Sequence, residues 1–285
     1  MLLPVFRPAH SSSCHVLSDT GRGLVRGFTL LALLAAGPVV VRAATPPADV
    51  PDPAWVALVR LRTDEAAREF ARGNRPERER DFGLAVAQLA RQPLTAEQIV
   101  AARATFTRLA DSGADEVAQA SRYLLGRIAQ HHLETADPAE AARQYRQLLA
   151  EHPDSIWAQT ALTRLALLVL YPADPAVTPD AAVAEAEALV DRARIPAARS
   201  ELHLVIADAI FFYRLPAARA LPHLLAADGI GLLDRPTKAD TLIQIAEVSV
   251  LTGQPAQARK YYEAYLADFP LDQRRFMVRQ RLAGL

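Results

Sequence analysis

The sequence predicts an all-α fold, an α-solenoid of about five helix–turn–helix repeats with a period near 40 residues, plus N- and C-terminal capping helices. Three observations predict it. A phrase Pro-x-x-Ala recurs as Pro138-Ala139-Glu140-Ala141, Pro179-Asp180-Ala181-Ala182 and Pro255-Ala256-Gln257-Ala258, with a looser copy at Pro216-Ala217-Ala218-Arg219-Ala220; successive prolines lie 41, 37 and 39 residues apart. Two series of small residues share that period. Ala87, Gly126, Ala166, Ala207 and Ala246 advance by 39, 40, 41 and 39, and Ala102, Ala141, Ala182, Ala220 and Ala258 by 39, 41, 38 and 38. Finally, 51% of the 285 residues are hydrophobic, glycines number only 12, and no long stretch alternates apolar with polar residues. That composition suits helices. A fixed period of this length marks units too small to bury their own apolar faces, which must therefore stack. A compact helical bundle is the alternative, and the period argues against it.

Taken in order, residues 1–43 read as an N-terminal extension and export signal. Arg22 and Arg26 precede an uncharged apolar run over 27–41, and Val41-Arg42-Ala43 suits a signal peptidase, placing the cut between Ala43 and Ala44. The run is short for a membrane span of roughly 20 residues, and Pro38 interrupts it. An uncleaved anchor is the alternative. The translation start lies in doubt, because 21 residues precede Arg22. Cys14, the single cysteine, lies before the run, so the exported chain would have no disulfide. Cleavage would also remove Arg7, Arg22, Arg26, Arg42 and Asp19, leaving a slightly acidic chain without the basic footprint of a nucleic-acid binder.

Residues 44–53 form a Pro- and Asp-rich linker. Residues 54–76 form the N-terminal capping helix, spanning about 54–72, started by Asp52 as N-cap with Pro53 in the first turn. Trp55, Leu58, Leu61 and Phe70 would cover the open end of the stack. Repeats occupy 77–271. Proline in a first turn gives up an N–H that would have no partner anyway, so each Pro-x-x-Ala phrase starts a second helix. Asp137 with Glu140 and Thr95 with Gln98 have capping-box spacing, and Thr178 caps the next. A small side chain at a helix crossing lets two backbones approach. Four residues after each second-helix alanine stand Phe106, Tyr145, Ala186, Leu224 and Tyr262, and three further on Leu109, Leu148, Leu189, Ala227 and Tyr265. Those spacings make one buried stripe. Residues 272–285 form the C-terminal cap. Phe276, Met277 and Leu282 would face the stack, and Arg274, Arg275, Arg279 and Arg281 would face water.

The last unit resembles the tetratricopeptide-repeat family at that family's own spacing, through Ala246, Gly253, Ala258, Tyr262, Leu266 and Pro270. The segment from Tyr123-Leu124-Leu125-Gly126 through Leu148-Leu149 to His152-Pro153-Asp154-Ser155 is similar. It departs in its turn: Gly126 and Ala141 are 15 residues apart, whereas Ala246 and Ala258 are 12 apart. Residues 152–166 resemble periplasmic members that attend the cell envelope, such as the Tol-Pal coordinator and the outer-membrane assembly lipoprotein. The resemblance implies a non-catalytic scaffold that binds a protein or peptide in a concave groove lined by first helices. Carried over residue by residue, the groove positions are Leu84 and Gln88, Tyr123 and Arg127, Thr163 and Leu167, Leu204 and Asp208, and Ile243 and Glu247. One turn further stand Arg91, Gln130, Leu170, Phe211 and Val250. Tyr123 and Phe211 would be aromatic anchors. Arg91 and Arg127 early, with Asp208 and Glu247 late, could orient a partner by charge.

Motifs for chemistry are absent from the sequence. There is no His-Glu-x-x-His, no Gly-x-Ser-x-Gly, no phosphate-binding glycine loop and no cysteine pair. Gly229-Ile230-Gly231 reads as a glycine pair in a loop. His131 and His132 are neighbours about 100° apart on a helix, which rarely share an ion. His203 and His223 read as isolated packing residues. The expectations are therefore no catalytic residue, no metal and no cofactor. The chain is expected to be a cell-envelope adaptor, exported to the periplasm or secreted, with peripheral envelope association possible. A self-assembling structural subunit and an enzyme accessory are the rival readings.

Overall fold

A computed structural model describes residues 52–72 and 75–285. The proposed leader, its Ala43–Ala44 cut, Cys14 and most of the linker lie outside the described residues. Among the described residues there are thirteen α-helices and no strands. In chain order they are α1 (Pro53–Val59), α2 (Thr63–Ala71), α3 (Glu77–Leu89), α4 (Ala96–Asp111), α5 (Glu116–His131), α6 (Pro138–Glu151) and α7 (Ile156–Leu170). Then follow α8 (Pro179–Val190), α9 (Pro196–Phe212), a 3-10 turn (Ala217–Arg219), α10 (Ala220–Ile230), α11 (Arg235–Leu251), α12 (Pro255–Asp268) and α13 (Arg275–Ala283). The described chain divides into two compact units, 52–161 and 162–285, with the division inside α7.

In the first unit each helix packs on the next from α1 to α6, and α3 also touches α5, the first helix of the following pair. Helix pairs stacked through their first helices are what the 40-residue period requires. Ala87, Ala102 and Ala141 are buried, as are Phe106, Tyr145, Leu109 and Leu148 on the stripe. The capping segment is two helices where one was expected. The chain breaks at Arg60-Leu61-Arg62, with Leu61 at φ 58, and Leu61 is 51% exposed instead of joining the cap. The break folds α2 back onto α1, so that the Trp55 ring meets Phe70 edge-on with centroids 4.7 Å apart. Phe70 in turn lies against Gly83 of α3, where a Cβ would stand 2.3 Å from its ring.

Caps close the helix ends as the sequence indicates. Thr95 and Gln98 make a reciprocal capping box on α4. Asp137 accepts from Glu140 N, but the Glu140 carboxylate turns to Arg143 and Gln144, so only half of that box forms. Thr178 accepts from Ala181 N. Asp52 accepts from Ala54 N at 2.9 Å and from both Arg75 terminal nitrogens. Burial pushes its carboxyl up, but the Arg75 guanidinium and the helix N–H outweigh that and hold it below the usual carboxylate range. A lowered folded-state pKa means this stabilisation is full above the ordinary Asp range and fades as pH falls through the folded value. We expect Arg75→Gln to flatten acid sensitivity in the α1–α2 segment, read by hydrogen exchange there. An acid profile unchanged by the substitution would contradict it.

In the second unit Ala166, Ala182, Ala207, Ala220, Ala246 and Ala258 are all buried, together with Ala186, Leu224, Ala227, Tyr262 and Tyr265. The looser phrase at Pro216 opens as the 3-10 turn before α10 begins. Pro222 lacks the N–H that would bond back across this junction, which fits a tight start followed by α geometry. Gly229 belongs to α10 and Gly231 is its C-cap at φ 74, so the pair is a helix end and not a loop. The last pair, α11 and α12, closes on Leu242, Ala246, Ala258, Tyr262, Tyr265, Phe269 and Val278.

The final helix differs from expectation. Val278 is the fully buried residue of α13, with Met277 and Leu282 beside it, whereas Phe276 is 63% exposed with Arg275 over its ring. Nor do all its arginines face water alone. Arg274 bridges Asp272 and Asp240 and lies over Tyr265, and Arg281 pairs with Glu247. A helix at the end of a stack has only one neighbour, so charge pairing can replace apolar cover along its rim.

Candidate functional site

The fifteen expected groove positions divide between the two units, six in the first and nine in the second. In the first unit Gln88 and Arg91 line a shallow cleft with Thr63, Asp64, Ala67, Leu84, Ala87 and Gln98. Arg91 pairs with Asp64 of α2 at 3.5 Å. Gln130 accepts from the Tyr145 hydroxyl at 3.1 Å. Burial, and after it the charge of the half-buried Arg127, hold the His132 imidazole below its ordinary range. Tyr123 corrects the expectation directly. It is a core residue, 0% exposed, set between the rings of Tyr145 at 6.0 Å and Trp157 at 5.6 Å. Three residues before Gly126 is the face of α5 that meets α6, and no ring there can anchor a partner without the unit opening.

In the second unit Glu247 is engaged inside the fold. It accepts from the Tyr262 hydroxyl at 2.9 Å and pairs with Arg281. Thus two of the four charges expected to orient a partner meet an ion partner on a capping segment, Arg91 on α2 and Glu247 on α13. Leu167 and Phe211 are half-buried, and Asp208 is exposed.

The aromatic surface lies at the C-terminal ends of α7 and α9. Phe212 is 56% exposed and Tyr171 40% exposed, with ring centroids 5.3 Å apart and nearly perpendicular planes. Tyr213 completes the group, 5.9 Å from Tyr171 and 5.0 Å from Phe212. Its hydroxyl donates to the Leu170 carbonyl at 2.7 Å, tying the two helix ends together. Burial, with Asp208 and Tyr213 adding to it, pushes the Tyr171 hydroxyl up to about 12, so this ring stays neutral. Tyr171 and Phe212 each stand five residues after their helix's small residue, Ala166 or Ala207. Leu251, five after Ala246, holds the same place in α11 and is 64% exposed. The equivalent residues of α3 and α5 are Gln92 and His131, which are polar. The repeat register could have found this row in the sequence, but the family-derived positions stop one residue short of it.

Sequence reasoning also missed His203 and His223. Far from isolated, their Nδ1 atoms are 3.0 Å apart across α9 and α10. Among the described residues no group of three or more His, Cys, Asp or Glu side chains is arranged to hold a metal ion. Nor is any described helix long and apolar enough to cross a membrane.

No protein-family model matches this chain, and no curated protein matches its sequence.

Proposed function

We propose that the chain is a tetratricopeptide-like scaffold without catalytic function, which captures a segment of a protein partner on the faces of its first helices. The observation that carries this reading is the pair of exposed rings Tyr171 and Phe212, braced by the half-buried Tyr213 through its bond to the Leu170 carbonyl. Rigid aromatic side chains lose little conformational freedom on binding and dominate interface energies. Beside them lie Leu167, Phe211 and Asp208, the expected groove positions of this unit. The chemistry suits an apolar or aromatic side chain on an extended or helical segment. Export to the envelope belongs to the same proposal and rests on the leader alone; N-terminal sequencing of exported material should begin at Ala44, and retention of the full-length chain in the membrane would refute it.

A displayed library of random peptides tests the binding surface. Peptides selected on the full chain should be enriched in aromatic and aliphatic residues. Phe212→Ser with Tyr171→Ser should weaken their binding by at least about 30-fold, which corresponds to about 2 kcal/mol. Helical content should be unchanged, because both rings are on the surface. Undiminished binding to the double variant would remove this face as the site.

A second reading has its own observation. Leu271 is 87% exposed and Phe276 63% exposed at the C-terminal end, so self-assembly through the last repeat would cover them. Light scattering on the full chain separates the two, since an adaptor of this kind is expected to be monomeric and a structural subunit is not.

A further inference from the structure

Three helices of the second unit meet in a chain of titratable groups that binding does not use. Glu187 of α8 lies 3.3 Å from His223 Nε2 on α10, and His223 Nδ1 lies 3.0 Å from His203 Nδ1 on α9. Both rings are partly buried, and they face each other with centroids 5.3 Å apart. The other charged groups acting on them are Arg199 on α9 and Arg219 on the 3-10 turn, the latter also pairing with Asp180 of α8 at 2.5 Å. On α11, which packs against α10, Lys238 and Asp240 are taken up by Asp268 and Arg274.

Hydrogen-bond chemistry restricts the protons. A carboxylate only accepts, so His223 donates to it through Nε2–H. When both rings are neutral, His223 Nδ1 is then the acceptor and His203 Nδ1 the donor. One added proton is tolerated, because a single hydrogen still lies between the two Nδ1 atoms. A second proton puts a hydrogen on each Nδ1, and the bond cannot survive. We propose that the Glu187–His223–His203 array is a pH-sensitive latch that joins α8, α9 and α10 and releases when both imidazoles are protonated.

The environment sets the direction. Burial comes first for both rings, then each ring's charged neighbours: His223 and Arg199 lower His203, while Glu187 raises His223 without overcoming burial and Arg219. Both imidazoles are held below their ordinary range. A base with a lowered folded-state pKa contributes stability that is full above the ordinary imidazole range and is lost as pH falls towards the folded value. Release therefore belongs below the ordinary imidazole range, and the pair should titrate as a coupled unit in two steps.

Nitrogen-15 NMR of the full chain reads the ring tautomers directly. At about pH 8 one ring should carry its hydrogen on Nδ1 and the other on Nε2, with two separated titrations at lower pH. Hydrogen exchange, corrected for its intrinsic pH dependence, should rise several-fold in α8–α10 relative to α11–α12 as pH falls from about 8 through the second of those titrations. His223→Gln should abolish that rise and leave His203 with one step. If that variant fails to fold, the tautomers and titrations of the unaltered chain still decide. Two independent steps in the ordinary imidazole range, with matching tautomers, would overturn the latch. So would exchange that rises equally in α11–α12.

Discussion

Replacing Tyr123 with alanine is expected to unfold the α5–α6 pair rather than to remove a binding contact. The ring is fully buried between Tyr145 and Trp157, and loss of a buried aromatic ring costs about 3–5 kcal/mol. That is a large part of the stability of a small unit. Stability in stacked repeats is mainly nearest-neighbour, so hydrogen exchange should lose protection in α5 and α6 while α11 and α12 keep theirs. The hydroxyl sharpens the test. Tyr123 Oη is buried and has no hydrogen-bond partner among the described residues. A buried hydroxyl without a partner is destabilising, so Tyr123→Phe should be neutral or stabilising while Tyr123→Ala is severe. Equal damage from both changes would show that the hydroxyl matters and that the ring is not simply core.

Gly126→Ala should also destabilise, against the rule for helices. Alanine in a helix interior is ordinarily favoured over glycine by about 1 kcal/mol. Here a Cβ would sit 2.3 Å from the Tyr145 ring. That ring cannot step aside freely, because it packs against Tyr123 and its hydroxyl is bonded to Gln130. Overpacking of this kind costs about 1–3 kcal/mol. Chemical denaturation should show a lower midpoint. A higher one would mean that α5 and α6 do not approach closely at Gly126.

The same position shows why the fold was legible in the sequence. Close helix crossings exclude large side chains, so they leave small residues at a fixed interval, and both small-residue series are buried where the structure describes them. The buried stripe followed, because a helix shows its spacing in the sequence. Side-chain direction did not follow as well. The groove register turns Tyr123 outward, yet it shares the buried face of Gly126, since a residue at the edge of a helix interface can turn either way. The Leu61 break was hidden because no glycine marks its positive φ. Val278 takes the buried place expected of Phe276 because a terminal helix meets only one neighbour, which narrows its apolar stripe. The His203–His223 contact depends on the phase of α10 after its 3-10 start, and spacing within one helix says nothing about that phase. The ring surface is half legible: the groove register gives Phe211, but the more exposed ring is Phe212.

A photo-crosslinking map tests most directly whether capture occurs on the first-helix face of the second unit. A benzophenone amino acid is placed singly at Tyr171, at Phe212 and at Val100, in separate full-length chains. Val100 is the comparison, because it is 68% exposed on a second helix, α4. Each chain is irradiated with the same library-selected peptide. Crosslinks at 171 and 212, with none at 100, are the predicted result. A peptide that crosslinks at 100 and not at 171 or 212 would contradict the account and move binding to the second helices.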